Sequence, residues 1–361
     1  MSADSSVPPW SEPARGEHLN PALLGLSGIE LLRAALAGYQ SRPPISRLTG
    51  MKLVEVGVGT TVFEMPLSGW LRTLQGAISI GPLAIVADNA LGAAVQSGLP
   101  AATPFITTEL SIQMLAPARP GVSAIARGSL LTARRTIALS EASLTDARGH
   151  QLAHCSSLCF VLPQLSGIPE PPTQLEPLAA TEYDTPDPWA RAPQGAVVGQ
   201  DVWDRLSGLE VMRARLAGEL PPSPISQLTG LRLTAVSDRE ATFVLAASEW
   251  LTAGPPGRVQ GGATALLAEA ALSTAIQTTL PAGTALAPID LKVNYLRPLA
   301  ADGRQATAHG TVMHAGRRIA VAHAEVHDAD GKQIALATGS AMILPGRTAS
   351  LASIEDATPD D

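Results

Sequence analysis

The sequence contains the same domain-sized pattern twice, and this internal duplication constrains the fold more than any other feature. Residues 26–50 and 206–230 are identical at 15 of 25 positions when they are aligned at an offset of 180. With two single-residue shifts in the alignment, the similarity continues to residues 162–163, which match residues 344–345. A unit of about 140 residues is too long for a solenoid repeat, so we expect two copies of one domain.

The duplication also indicates where the domains begin and end. We expect one domain over residues 17–163 and the other over residues 201–346. Residues 164–200 are rich in proline, which is typical of an extended linker. Residues 1–16 and the acidic residues 347–361 are predicted to be disordered tails.

Composition and charge exclude several classes of protein. The formal net charge is −7 and no stretch dense in Lys and Arg reverses it, which argues against a nucleic-acid partner. The chain has no run of about 18 apolar residues and no secretory signal pattern, so we expect neither a membrane partner nor secretion. Two cysteines in 361 residues fit a reducing compartment. We therefore expect a globular protein of the cytoplasm.

Each copy shows the same order of predicted elements. An amphipathic helix is predicted from Leu23 to Gly38 and from about Val202 to Gly218, and a β-rich segment follows it. One long helix, rich in Ala and Leu, is predicted next, at about residues 82–96 and 261–279. Strands joined mostly by hairpins complete each copy. This order predicts an α+β fold in which an antiparallel sheet wraps around one buried helix, with the two sheets edge to edge as a pseudo-dimer.

Both long helices carry one acidic residue at equivalent positions, Asp88 and Glu269. Burying an unpaired charge costs several kcal/mol. Two cores that each keep an acid at the same position therefore indicate a functional site. The alternatives are a carboxylate satisfied by neighbouring hydroxyl groups, or one that points into a solvated interface.

The second long helix opens with two glycines, Gly261 and Gly262, directly after Gln260. The first N–H groups of a helix have no partner within it, and glycine lets a ligand approach them closely. Such donors can bind a carbonyl oxygen and stabilise the oxyanion that develops when the carbonyl is attacked. A tight turn would also explain the two glycines.

Residues 259–269 resemble the signature of hotdog-fold acyl-CoA thioesterases of the phenylacetate-degradation and 4-hydroxybenzoyl-CoA type. In that signature a catalytic acid lies eight residues after the first glycine of the helix, as Glu269 does after Gly261. Residues 289–298, which read IDLKVNYLRP, match a second pattern of the family. The resemblance covers both copies, less closely in the first. It implies a double hotdog fold with sites shared between the halves.

The spacing along the helix indicates which groups can work together. Eight residues of helix span about 12 Å, so an acid cannot reach a carbonyl held at the start of its own helix. We therefore expect Asp88 to face the Gly261 opening and Glu269 to face Gly81. The first opening has a proline, Pro82, in place of one donor, so Asp88 with the second opening is the preferred site. Whether one or both acids act stays open.

Further polar residues are candidates for the same chemistry. Ser273 lies one turn after Glu269, where it could orient a water or the acid, and Asn89 and Asn294 could bind substrate by hydrogen bonds. Arg317 and Arg318 could bind the phosphates of coenzyme A. Each of these has an ordinary alternative as a surface or structural residue.

Together these features predict an enzyme that hydrolyses acyl-CoA thioesters to the free acid and CoA. No cofactor and no metal ion is expected to be needed. Because one chain already holds both halves, a homodimer of chains is possible but not required. The alternative is a non-catalytic protein on the same fold that binds or senses acyl-CoA.

Overall fold

The computed structural model describes residues 7–168, 170–171, 178 and 181–350. The first copy contains α1 (Gly28–Leu36), α2 (Pro44–Thr49), β1 (Lys52–Gly57), β2 (Thr60–Pro66), α3 (Ile80–Ser97), β3 (Phe105–Met114), β4 (Ser123–Ala133), β5 (Ile137–Asp146) and β6 (Gln151–Val161). The second copy contains α4 (Gln200–Arg205), α5 (Gly208–Leu216), α6 (Pro224–Thr229), β7 (Arg232–Ser237), β8 (Glu240–Ala246), α7 (Gly261–Gln277), β9 (Thr284–Tyr295), β10 (Gln305–Ala315), β11 (Ile319–His327) and β12 (Gln333–Pro345).

These strands form one continuous antiparallel sheet. Its order is β1-β2-β4-β5-β6-β3-β9-β12-β11-β10-β8-β7, so each copy contributes six neighbouring strands. The copies join where β3 pairs with β9, with Ile112 opposite Leu291. Both of these residues are buried. The predicted α+β architecture, with two sheets edge to edge, is confirmed.

The two long helices, α3 and α7, pack against each other in the centre of the molecule. They run antiparallel, since Gly81 lies beside Glu269 while Gly262 lies beside Asp88. The backbones come so close that a Cβ atom on Gly262 would lie 2.4 Å from the carbonyl oxygen of Ala84. The small Ala and Gly side chains allow this approach, and the sheet buries the rest of both helices. Among the described residues, no helix has the length and apolar character needed to cross a bilayer.

The amphipathic helix that opens each copy is shorter than predicted. In the first copy, Ser27 and Glu30 form a capping box, so the chain starts a new helix there instead of continuing from Leu23. Ser207 and Glu210 do the same in the second copy, and separate α4 from α5. The capping side chains satisfy the free N–H groups of the helix start, and this local gain decides the boundary.

Residues 7–16, within the first predicted tail, make contacts with the second copy. The indole ring of Trp10 lies against Gly230 of the second copy, where a Cβ atom would come within 2.9 Å of the ring. The indole nitrogen of Trp250 donates a hydrogen bond of 2.9 Å to the carbonyl of Glu12. The first segment of the chain is therefore packed against the other half of the molecule.

The end of the predicted linker mirrors this arrangement. Trp189 packs against Gly50 of the first copy, and the indole nitrogen of Trp70 donates to the carbonyl of Arg191 at 2.9 Å. The two segments also meet each other, because the Arg191 guanidinium forms an ion pair with Glu12. Each copy thus begins with an arm that reaches across to the other copy.

The start of the second predicted tail is also ordered. The Ser350 hydroxyl is buried and donates to the carbonyl of Val198 at 2.6 Å. The tail and linker positions that lie outside the described residues are 1–6, 169, 172–177, 179–180 and 351–361.

We expect Trp10→Ala to lower the free energy of unfolding by about 2 kcal/mol, because it leaves a gap between the arm and Gly230. Chemical denaturation of the full chain measures this change. Val58→Ala, at a side chain that is 72% exposed, is the matched control and should change stability by no more than about 0.5 kcal/mol. Equal stability of the Trp10 variant and the control would contradict the packed arm.

Candidate active site

Asp88 of the first copy lies at the start of the second copy's long helix. One carboxylate oxygen, Oδ2, accepts a hydrogen bond of 3.0 Å from the backbone N–H of Gly262. The other, Oδ1, accepts a longer bond of 3.5 Å from the hydroxyl of Thr107 on β3. The side chain is buried, with 8% of its residue surface exposed. The structure therefore brings together an acid and a helix start that are 174 residues apart in the chain.

Gln260, the residue before the helix, belongs to the same cluster. Its amide nitrogen donates to the carbonyl of Ile85, 2.8 Å away on α3, and its side chain also interacts with Asp88. The amide oxygen, Oε1, is buried and has no hydrogen-bond partner in the described part of the chain. A buried acceptor without a partner is costly, and such groups are typical of sites that a ligand or water completes.

Tyr295 is a member of this site that the sequence reasoning missed. Its hydroxyl donates a hydrogen bond of 2.8 Å to the carbonyl of Gly261, and its ring packs against that glycine. Tyr295 stands within the family pattern of residues 289–298, but that pattern does not assign it a role. The sequence did contain a signal, because the two copies differ at this position: the first copy has Met114 where the second has Tyr295.

Burial raises the pKa of Asp88 from 3.8 to about 6. Hydrogen bonds from the Gly262 N–H, Thr107 and Gln260 act in the opposite direction, because they stabilise the charged carboxylate. The result is a carboxylate that is ionised at neutral pH but more basic than an exposed aspartate. Such a group is well matched to accepting a proton near pH 7.

Glu269 of the second copy lies beside the start of α3 and is also buried. Its two carboxylate oxygens accept hydrogen bonds from the hydroxyls of Ser79, at 3.1 Å, and Ser273, at 2.8 Å. The backbone N–H of Gly81 also interacts with it, while burial raises its pKa. Ser273 thus serves Glu269 and lies away from the Asp88 cluster.

The two clusters occupy equivalent places but are built from different residues. Around Glu269, the groups that surround Asp88 are replaced as follows: Gln260 by Ser79, Gly261 by Ile80, Ala263 by Pro82, Thr107 by Pro288 and Tyr295 by Met114. The Asp88 cluster keeps a free acceptor, on Gln260. In the Glu269 cluster, each carboxylate oxygen already has a hydroxyl partner.

Four predicted substrate-binding residues have other positions or partners. Asn89 donates to the carbonyl of Ile85 in its own helix, at 3.0 Å. The same carbonyl accepts the hydrogen bond from Gln260. Asn294 is exposed, because side chains alternate along β9 and its neighbour Tyr295 faces the helix. Arg317 and Arg318 are exposed in the hairpin between β10 and β11.

That hairpin lies at the wrong end of α7 for the Asp88 cluster. The Thr278 hydroxyl, at the carboxyl end of α7, accepts a bond from the N–H of Arg239, whose carbonyl accepts one from Val312 on β10. The hairpin begins three residues after Val312, whereas the Asp88 cluster is at the other end of the helix. Arg317 and Arg318 therefore lie away from the Asp88 cluster, and their binding to the phosphates of coenzyme A stays a prediction.

Comparison with known proteins finds sequence similarity within part of the chain. Residues 256–335, which include all of α7, match the thioesterase superfamily. A 55-residue stretch is 44% identical to the medium/long-chain acyl-CoA thioesterase YigI of Salmonella typhimurium. This match covers 15% of the chain and 34% of that relative, about a third of its length.

Solved structures extend the likeness to most of the chain. A conserved protein of unknown function with a hot dog fold, from Alicyclobacillus acidocaldarius, has a TM-score of 0.52 at 13% identity, covering 83% of this chain and 97% of that one. The tesB protein of Mycobacterium avium subs. paratuberculosis has a TM-score of 0.49 at 12% identity, covering 84% and 98%. The chain has a double hotdog fold, and its second copy contains the segment that matches the thioesterase superfamily.

We expect Asp88→Asn to make the protein less sensitive to rising pH. The pKa of Asp88 is about 6 in the folded state and 3.8 without burial, so the folded state binds the proton more tightly. Wild type should therefore lose up to about 3 kcal/mol of unfolding free energy as the pH rises from 4 to 7.5. The Asn variant should lack this loss.

Urea unfolding at several pH values measures the difference between the two proteins. Asp238→Asn, at an exposed position, is the control and should follow wild type throughout. A constant difference between the Asp88 variant and wild type across this range would contradict the raised pKa.

Proposed function

We propose that the protein hydrolyses acyl-CoA thioesters to the free acid and CoA at the cluster of Asp88, Gln260 and the start of α7. The observation that carries this proposal is the contact between the buried Asp88 carboxylate and the Gly262 N–H. It joins a base of raised pKa to a helix start, which is the donor that an oxyanion needs. The match of residues 256–335 to the thioesterase superfamily supports it.

In the first step, the thioester carbonyl binds at the start of α7. The Gly262 N–H points at Asp88 in the unliganded protein, so the carbonyl oxygen takes over this donor when substrate binds. The freed carboxylate loses a stabilising hydrogen bond and becomes a stronger base. Binding therefore prepares both partners, because the carbonyl is polarised while the base is activated.

Two routes then lead to products. As a general base, Asp88 takes a proton from water while the water oxygen bonds to the carbonyl carbon, and the Gln260 Oε1 atom can accept the second hydrogen of that water. The tetrahedral oxyanion then collapses, the C–S bond breaks, and the proton passes from Asp88 to the CoA sulfur. Alternatively, the carboxylate attacks the carbonyl carbon directly, the C–S bond breaks and CoA leaves as the thiolate. Water then hydrolyses the mixed anhydride, which releases the free acid, restores the Asp88 carboxylate and supplies the proton that the thiolate takes up.

Glu269 has a structural role in this proposal. Both its oxygens are occupied by Ser79 and Ser273, and Pro82 removes a donor from the neighbouring helix start. Asp88 likewise accepts hydrogen bonds at both oxygens, so the difference that decides the proposal is that the start of α3 has one backbone donor fewer than the start of α7. The proposal therefore gives each chain one catalytic site, at the Asp88 cluster.

The acyl group is a further part of the proposal. The sequence pattern resembles enzymes that act on aromatic acyl groups, whereas the Salmonella relative is named for medium and long chains. A panel of aromatic and straight-chain acyl-CoAs therefore covers both possibilities.

We expect wild type to release thiol from at least one acyl-CoA in this panel. Asp88→Asn should reduce kcat/KM about a hundredfold or more, because it removes the base and keeps the shape. Glu269→Gln, the matched control from the other cluster, should stay within about threefold of wild type. Thiol release followed with a chromogenic reagent measures all three proteins.

The outcomes separate the candidate functions. If wild type binds acyl-CoA but releases no thiol from any substrate, the protein is a binding or sensing protein. If Glu269→Gln is the damaging variant, the working site is the other cluster.

The pH dependence gives a second test of Asp88. We expect kcat/KM to fall below about pH 6, as the free enzyme takes up a proton on the carboxylate whose pKa is about 6. The acid limb of kcat should lie at higher pH, because bound thioester occupies the Gly262 N–H. Tyr295 and Cys159 also face Asp88, but burial raises the pKa of Cys159 to about 11 and raises the pKa of Tyr295 well above its usual value. A kcat limb at lower pH than the kcat/KM limb would contradict the displacement of this bond.

A further inference from the structure

We infer that Tyr295 is a positioning residue that orients and polarises the peptide unit between Gly261 and Gly262. This inference rests on the proposed function of the Asp88 cluster. Tyr295 donates to the carbonyl of Gly261, and the N–H of Gly262 donates to Asp88. The carbonyl and the N–H belong to one planar peptide unit and point in opposite directions. The phenol and the carboxylate therefore hold the same peptide from its two sides.

The phenol adds a restraint on this peptide beyond its place in α7 and the packing of Gly262 against Ala84. Glycine lies on both sides of the peptide, and glycine permits backbone rotations that other residues resist. The peptide is also at the very start of α7, where the N–H groups have no helical partner. A hydrogen bond to the carbonyl thus fixes the direction of the N–H that the oxyanion needs.

The bond also strengthens the donor. Hydrogen bonds in a chain polarise each other, so a peptide whose carbonyl accepts a bond has a more positive N–H. Burial raises the pKa of Tyr295 well above its usual value, so the phenol stays protonated and keeps donating throughout the pH range of the enzyme. The effect reaches the substrate through Gly262, without contact between Tyr295 and the reacting atoms.

The equivalent position in the first copy lacks this hydrogen bond. Met114 occupies the position equivalent to Tyr295, and a thioether cannot donate a hydrogen bond. The peptide there follows Ile80, a β-branched residue that restricts the backbone by itself. Of the two helix openings, the one with two glycines is therefore the one that has a tyrosine behind it.

Tyr295→Phe tests the inference because it removes only the hydroxyl. We expect kcat to fall about tenfold while KM changes by less than about threefold, since the weakened donor acts on the oxyanion more than on bound substrate. Met114→Leu is the matched control at the equivalent position and should keep wild-type kinetics. Unchanged kcat in Tyr295→Phe, with active wild type, overturns the inference.

A second readout does not depend on activity. With carboxyl-labelled aspartate, the Asp88 signal is assigned by its loss in Asp88→Asn and titrated by NMR in wild type and in Tyr295→Phe. We expect the pKa of Asp88 to be about half a unit higher or more in the Phe variant, because the Gly262 N–H stabilises the carboxylate less.

A merely structural role for the phenol would lower stability and leave this pKa unchanged, which would overturn the inference. If wild type releases no thiol, the proposed function fails, and the titration still decides whether Tyr295 holds the peptide. The two failures are therefore distinguishable.

Discussion

The close antiparallel contact between α3 and α7 is the interaction on which the rest of the structure depends. The backbones can approach because Gly262 has no side chain to separate them from Ala84. The contact joins the two copies and places the acid of each helix beside the start of the other. It also removes Asp88 from water, which is why the pKa of this carboxylate rises to about 6. The residues at the contact between α3 and α7 therefore join the two copies and also set the environment of the candidate site.

Fusion of two copies into one chain allows the two clusters to differ. A symmetric dimer of identical chains would carry the same residues at both places. Here one helix start has two glycines with a phenol behind them, and the other has Ile80 and Pro82. Beside Asp88, the Gln260 Oε1 atom has no hydrogen-bond partner among the described residues, whereas Glu269 accepts hydrogen bonds from two serine hydroxyls. The duplication thus places two differently built acid clusters within the same architecture.

Much of the fold follows from local pattern. The long Ala-rich helices and the hairpins are predictable because apolar periodicity and turn residues act over a few positions. The arms at residues 7–16 and near Trp189 were not predictable in this way, because short proline-containing segments have no periodicity. Their order comes from tryptophan rings that pack against glycines of the other copy. The position of Arg317 and Arg318 relative to the Asp88 cluster was also not predictable, since it depends on how β10 packs near the carboxyl end of α7.

The sequence by itself determined the duplication, the α+β class, the two buried acids and the rule that each acid must work with the other helix. That rule needs only the rise of a helix, about 1.5 Å per residue. Only the tertiary structure decided which groups complete each cluster. It placed Tyr295 behind the Gly261 carbonyl, left the Gln260 Oε1 atom without a partner, and gave both oxygens of Glu269 to serines. The physical reason is that hydrogen bonds form between atoms within about 3 Å, and residues far apart in the chain reach that distance only after the helices pack.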